Sequence, residues 1–152
     1  MLASFPNSFT TGTLGGVACG NGTIRFELNS AGVFGAVTGA DNATCGSNFG
    51  GSTFSPLFTA NRWHSVALAW DSSLNTETAY YDGAIGQTAG NSFWPTNFNA
   101  VKIGVGWDTS RYWNGQIDEV RMSNAVRSAD WVATEYNNHS SPATFYTLGS
   151  EN

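Results

Sequence analysis

The densest run of side chains able to do chemistry is Gly106-Trp107-Asp108-Thr109-Ser110-Arg111-Tyr112-Trp113-Asn114. Three large rings, Trp107, Tyr112 and Trp113, lie beside the polar groups of Asp108, Arg111 and Asn114. A sugar offers apolar C–H faces that stack on aromatic rings, while its hydroxyls need planar polar partners. This mixture therefore suits carbohydrate binding. Trp94, in Ser92-Phe93-Trp94-Pro95, can extend the patch. In a regular strand Tyr112 and Trp113 alternate, so only one of them faces solvent. The competing expectation is that these rings only cover one end of the fold.

Catalytic groups are harder to assemble. Glu77 and Asp82 flank one strand, and a five-residue separation sets them on opposite faces. A nucleophilic triad would need His64 or His139, the two histidines of the chain. His64 shares a strand face with Val66, Leu68 and Trp70, where a hydrogen-bonded core histidine is the simpler expectation. His139 is expected in an exposed tail. Cys19 and Cys45, each beside glycine, either pair or remain two unrelated thiols. As a pair they would close a loop worth roughly 3–4 kcal/mol and imply an oxidising compartment. With no nearby histidine they cannot complete a zinc site. Three Asn-x-Ser/Thr sequons, at Asn21, Asn42 and Asn138, are no more than the abundance of these residues produces by chance.

The elements that must carry these groups follow from composition and alternation. Charged residues make up only 11% of the 152, Gly numbers 18 and aromatics reach 14% with six Trp. That profile favours many short strands joined by Gly, Asn and Ser turns. The formal net charge of −5, with six basic residues, excludes a nucleic-acid partner and disfavours an anionic membrane. No run approaches the roughly 20 apolar residues of a membrane-spanning helix, so membrane insertion is not expected. The N-terminal MLASFPNSFT lacks the basic and apolar regions of a signal peptide. The expectation is a chain whose signal has been removed, or a piece of a larger protein.

Along the chain, Thr23–Leu28 alternates after the turn signal Gly20-Asn21-Gly22, and 32–37 is its expected partner. Residues 39–55 read as a long loop. Arg62–Trp70 is the clearest strand, with Trp63, Ser65, Ala67 and Ala69 opposite the His64 face. The stretch 71–75 turns the chain. Glu77–Tyr81, Asp82-Gly83 and Ala84–Thr88 then form a hairpin. Asn99–Val105 is a strand with Val101, Ile103 and Val105 inward, and Gly115–Met122 is another. One short helix is expected at Ser128–Tyr136, capped by Ser128 and ended by Asn137-Asn138. The tail 142–148 could add an edge strand. Many strands with one late helix predict a sandwich of two antiparallel sheets.

Several of these segments carry a family likeness. Arg62-Trp63-His64-Ser65-Val66-Ala67 followed by Ala79-Tyr80-Tyr81-Asp82-Gly83 resembles the W-H-x-V-A … Y-x-D-G stretch of laminin-G-like domains. Ile103-Gly104, then Trp113-Asn114-Gly115-Gln116-Ile117-Asp118-Glu119-Val120-Arg121, is similar to their I-G … G-x-I-D-E-V-R block. Ser123–Tyr136 resembles the closing helix. The likeness spans roughly 56–148, and residues 1–18 show no initial strand of the usual family type.

The resemblance implies one laminin-G-like domain over 1–152, an all-β concanavalin A-like jelly roll, secreted or at the cell surface. It also implies a glycan or glycoprotein ligand. An uncovered sheet edge would offer a route to a dimer. Retaining glucanases of this superfamily carry Glu-x-Asp-x-Glu on one strand. Here the positions two before and two after Asp118 are Gln116 and Val120, so that mechanism is disfavoured; a non-catalytic module is expected, ahead of a structural or protein-interaction domain of the same fold and, third, a glycoside hydrolase or lyase. Carboxylates near sheet rims of the superfamily often hold calcium, for which Asp118, Asp108 and Asp71 are the candidates. The alternative for Asp118 is a purely structural role in a tight corner.

Overall fold

A computed structural model of the chain describes residues 2–4, 12–17, 23–28, 34–39, 49–54, 59, 61–90, 101–105 and 112–145. Among the described residues ten strands run in order: β1 (Leu2–Ser4), β2 (Gly12–Val17), β3 (Thr23–Leu28), β4 (Phe34–Gly39), β5 (Phe49–Phe54), β6 (Trp63–Asp71), β7 (Thr76–Tyr81), β8 (Ala84–Gly90), β9 (Val101–Ile103) and β10 (Ile117–Asp118). Helices α1 (Ala129–Ser140) and α2 (Pro142–Phe145) follow. The strands form two five-stranded sheets, β10-β1-β6-β7-β8 and β5-β4-β3-β2-β9, and every pairing is antiparallel.

The β6–β7–β8 meander follows directly from its residues. His64 and Val66 are buried on one face of β6, and Ala79 and Tyr80 are buried on β7. Asp71 closes the first turn by accepting from the Ser73 and Leu74 amides and the Ser73 hydroxyl. Asp82-Gly83 closes the second turn with φ of 47° and 78°. Two consecutive positive φ values are what a two-residue hairpin needs to match the twist of its strands. At Gly83 the requirement is doubled, because an added Cβ would lie 2.9 Å from the Tyr136 side chain.

Several expectations are corrected. Residues 39–55 are not all loop: Phe49–Phe54 pairs with β4 along its whole length. Residues 1–18 supply two strands, β1 between β6 and β10, and β2 between β3 and β9. Short or glycine-rich strands of this kind give little alternation to read, and pairing with distant partners defines them. The strand expected at 115–122 contracts to Ile117–Asp118, because Glu119 takes φ +51° and its amide bonds back to Asp118 Oδ1. The helix runs past Asn137-Asn138 to Ser140, and 142–145 is a helical turn rather than an edge strand. Ser128 does cap α1, accepting from the Trp131 amide, and Pro142 opens the next turn, where its missing N–H costs nothing.

Val101 and Ile103, expected inward, are 54% and 52% exposed. They lie on the edge strand β9 and border an apolar groove of about 380 Å³, whose walls also include Leu68, Met122, Val126 and Trp131. Arg121 pairs with Glu119 and Glu135, which ties the segment after β10 to α1.

Candidate functional site

The loop singled out by its aromatic residues is described at its stem. Val105 and Tyr112 form an antiparallel bridge, and the Trp113 amide donates to the Gly104 carbonyl at 2.9 Å. Gly104 adopts φ +76°, a conformation that favours glycine, and so turns the chain into the stem. Alternation then divides the two rings. Tyr112 is 65% exposed, while Trp113 is 8% exposed and buried. Asn114 is exposed beside them. Trp113 thus anchors the stem and Tyr112 presents its ring to solvent. Trp94, Trp107, Asp108 and Arg111 lie outside the described residues, as do Cys19 and Cys45.

His64 is the centre of a closed polar cluster. Its Nδ1 lies 2.8 Å from Asp82 Oδ2 and 2.7 Å from the Tyr81 hydroxyl, and its Nε2 lies 3.0 Å from the Thr59 carbonyl. The rings of His64 and Tyr81 stack with centroids 5.0 Å apart. Asp82 Oδ1 accepts from the Ser65 amide, and the Asp82 amide donates to the Ser65 carbonyl. Burial alone would lower the imidazole pKa. The hydrogen bond and charge of Asp82 and the Thr59 carbonyl outweigh it, so the net shift is upward. Burial, with Asp82 nearby, pushes the Tyr81 phenol well above its ordinary value. A general base needs an accessible nitrogen within reach of substrate. Both His64 nitrogens are occupied and the residue is 7% exposed, so the cluster pins the β7–β8 turn to β6 and offers no base.

Two of the three expected calcium ligands, Asp71 and Asp118, lie far apart along the sheet. Leu2 is level with both Ser65 and Asp118. Asp71 lies six residues beyond Ser65 on β6, which at about 3.3 Å per residue sets it roughly 20 Å from the level of Asp118. Asp71 also has Oδ1 committed to its own turn, and these bonds hold its pKa below the ordinary value. The two carboxylates cannot share one ion. Among the described residues no three His, Cys, Asp or Glu side chains converge.

The same register creates a recess that local reading missed. Opposed residues of an antiparallel pair share a sheet face, so Asp118 falls on the face of Trp63 and Ser65. The last turn of α1 completes the walls. Arg62, Trp63, Ser65, Asp118, Tyr136 and His139 line a recess of about 640 Å³. Trp63 is 48% exposed within it. The β6 alternation already assigned Trp63 to the face opposite His64. Only the pairing of three distant segments brings Asp118 beside it.

Two antiparallel sheets followed by the helices α1 and α2 define a strand-dominated protein. The chain belongs to the Laminin_G_3 family of the concanavalin A-like lectin/glucanases superfamily, whose model matches residues 5–133. The match begins earlier than the motif likeness, covering the segment of β2–β5, and ends within α1.

Three solved structures with a similar fold are distant in sequence. The Ruminococcus gnavus IT-sialidase CBM40 bound to α2,3-sialyllactose superposes with a TM-score of 0.70 at 17% identity, over 88% of this chain and 78% of that one. The heptameric SAP-like pentraxin of Limulus polyphemus gives 0.67 at 13%, over 89% of this chain and 66% of the pentraxin. A Bacteroides ovatus protein described as carbohydrate-binding gives 0.64 at 17%, over 87% of this chain. This chain spans only 38% of that protein's length. No curated protein matches the chain. No described helix is long and apolar enough to cross a membrane.

Proposed function

We propose that this chain is a non-catalytic carbohydrate-binding or adhesion module, a two-sheet jelly-roll sandwich working in a secreted or cell-surface protein. The observation that carries the reading is the stem at Gly104–Val105 and Tyr112–Trp113, which buries one ring and holds the other 65% exposed beside exposed Asn114. An exposed aromatic ring with adjacent amide groups is suited to a pyranose: the ring covers a C–H face, and the amide meets hydroxyls. In this reading Trp107, Asp108, Arg111 and Trp94 complete the surface, while Trp113 supports it from beneath. The sialyllactose-bound sialidase module of the same fold lends support, at the level of the fold alone.

The absence of a Glu-x-Asp-x-Glu strand and the closed coordination of His64 favour binding over hydrolysis. A protein-interaction domain of the same fold, which could pair through a free sheet edge, is the second reading. Titration of the chain against arrayed glycans separates the two. Saturable binding of a defined glycan, weakened by Tyr112→Ala at unchanged melting midpoint, supports the module. A chain that binds no arrayed glycan is a structural or protein-binding domain.

A further inference from the structure

Several charged groups of the described surface are already engaged. Asp71 holds its turn, Asp82 holds His64, and Glu119, Arg121 and Glu135 hold one another. The recess between β6, β10 and the end of α1 differs. Arg62 and Asp118 are both exposed there, and Asp118 uses only Oδ1, for the Glu119 amide. Among the described residues Asp118 Oδ2 and the Arg62 guanidinium have no intramolecular hydrogen bond. Tyr136, His139, Ser140 and Ser141 line the same recess. Beside these polar groups the indole of Trp63 is half exposed on a regular strand, where paired backbone fixes its position.

We propose that this recess is a second glycan-binding site, taking one pyranose ring. The inference rests on the carbohydrate-binding reading but places the sugar on a surface separate from the Tyr112 stem. The apolar face of the ring stacks on the Trp63 indole. Two neighbouring hydroxyls donate to the Asp118 carboxylate, and their oxygens accept from the Arg62 guanidinium. A carboxylate and a guanidinium on one rim supply acceptor and donor together, which matches a hydroxyl, itself both donor and acceptor. The recess volume of about 640 Å³ is that of an ordinary small-molecule site.

The test uses the full chain and three soluble probes, lactose, cellobiose and α2,3-sialyllactose, followed by saturation-transfer NMR and by titration of whichever probe responds. The expected result is a probe whose affinity falls about tenfold or more in Trp63→Ala and also falls in Asp118→Asn and Arg62→Ala, with Tyr112→Ala retaining binding at this site. If Trp63→Ala lowers the melting midpoint, Asp118→Asn decides, because that side chain is exposed and holds only the adjacent amide. Binding that survives Trp63→Ala and Asp118→Asn but is lost in Tyr112→Ala overturns the recess and leaves the carbohydrate-binding module intact. A wild-type chain that transfers saturation to none of the probes overturns the recess, and failure on the full glycan array as well overturns the module.

Discussion

His64 and Asp82 are joined by a 2.8 Å hydrogen bond between Nδ1 and Oδ2, across the end of the β6–β7–β8 meander. In the protonated ring, Nδ1–H is shared between Asp82 and the Tyr81 oxygen, while Nε2–H donates to the Thr59 carbonyl. A neutral ring must give up one of these donations, and this is the physical reason that protonation is favoured in the folded state.

Stability should therefore depend on pH through His64. Its folded pKa lies above the ordinary histidine value, so the folded state holds the proton more tightly than the unfolded chain. The contribution is fully present below the unfolded pKa and is lost as pH rises from there through the folded pKa. Urea midpoints measured from pH 5.5 to 8.5 should fall across this window, and the fall should vanish in His64→Gln. A midpoint that rises with pH would contradict the assignment.

Asp82→Asn keeps a residue that tolerates positive φ, but removes the charge facing the buried imidazole. A loss of about 1–3 kcal/mol is expected in denaturant unfolding at pH 6, and less at pH 8.5, where the ring no longer needs the charge. Equal losses at the two pH values would mean that the turn geometry, and not the ion pair, dominates.

Gly83→Ala meets two obstacles, a φ of +78° and a Cβ placed 2.9 Å from Tyr136. A destabilisation of about 1–3 kcal/mol is expected. Adding Tyr136→Ala removes the ring atoms from the clash but keeps the Tyr136 Cβ, also 2.9 Å away, so it should recover only the ring's share of the steric cost and the double-mutant cycle should be non-additive.

Trp113 and Tyr112 are adjacent yet should behave oppositely. Trp113→Ala removes a buried ring and should cost about 3–5 kcal/mol. Tyr112→Ala removes a ring exposed at 65% and should leave the melting midpoint within about 0.5 kcal/mol of wild type. Its effect should appear in glycan affinity instead. Comparable destabilisation by both would show that Tyr112 is a packing residue.

Asp71 and Asp118 should not act together on one calcium ion, because their levels on the sheet are too far apart, so any calcium-dependent rise of the melt relative to EDTA should not need both carboxylates. A calcium-dependent rise that persists in Asp71→Asn and Asp118→Asn would locate ligands elsewhere in the chain.

The chain's amino-acid order alone determined those features whose cause is local. Alternation marked β6 and separated Trp63 from His64. Asp82-Gly83 marked the hairpin, Ser128 marked the helix start, and low charge with abundant glycine and aromatics marked an antiparallel β protein. The alternation of Tyr112 and Trp113 even required that one ring be hidden. Which ring it is, and everything that depends on pairing between distant segments, only the tertiary structure decided. Leu2–Ser4 is too short to announce itself, yet it aligns Ser65 with Asp118. Gly12–Val17 and Phe49–Phe54 are strands because neighbours pair with them, not because glycine favours the extended state. The recess at Trp63 and the separation of Asp71 from Asp118 are both consequences of that register. Side-chain period along a strand is a local property, but the level at which one strand meets another is set by the whole sheet.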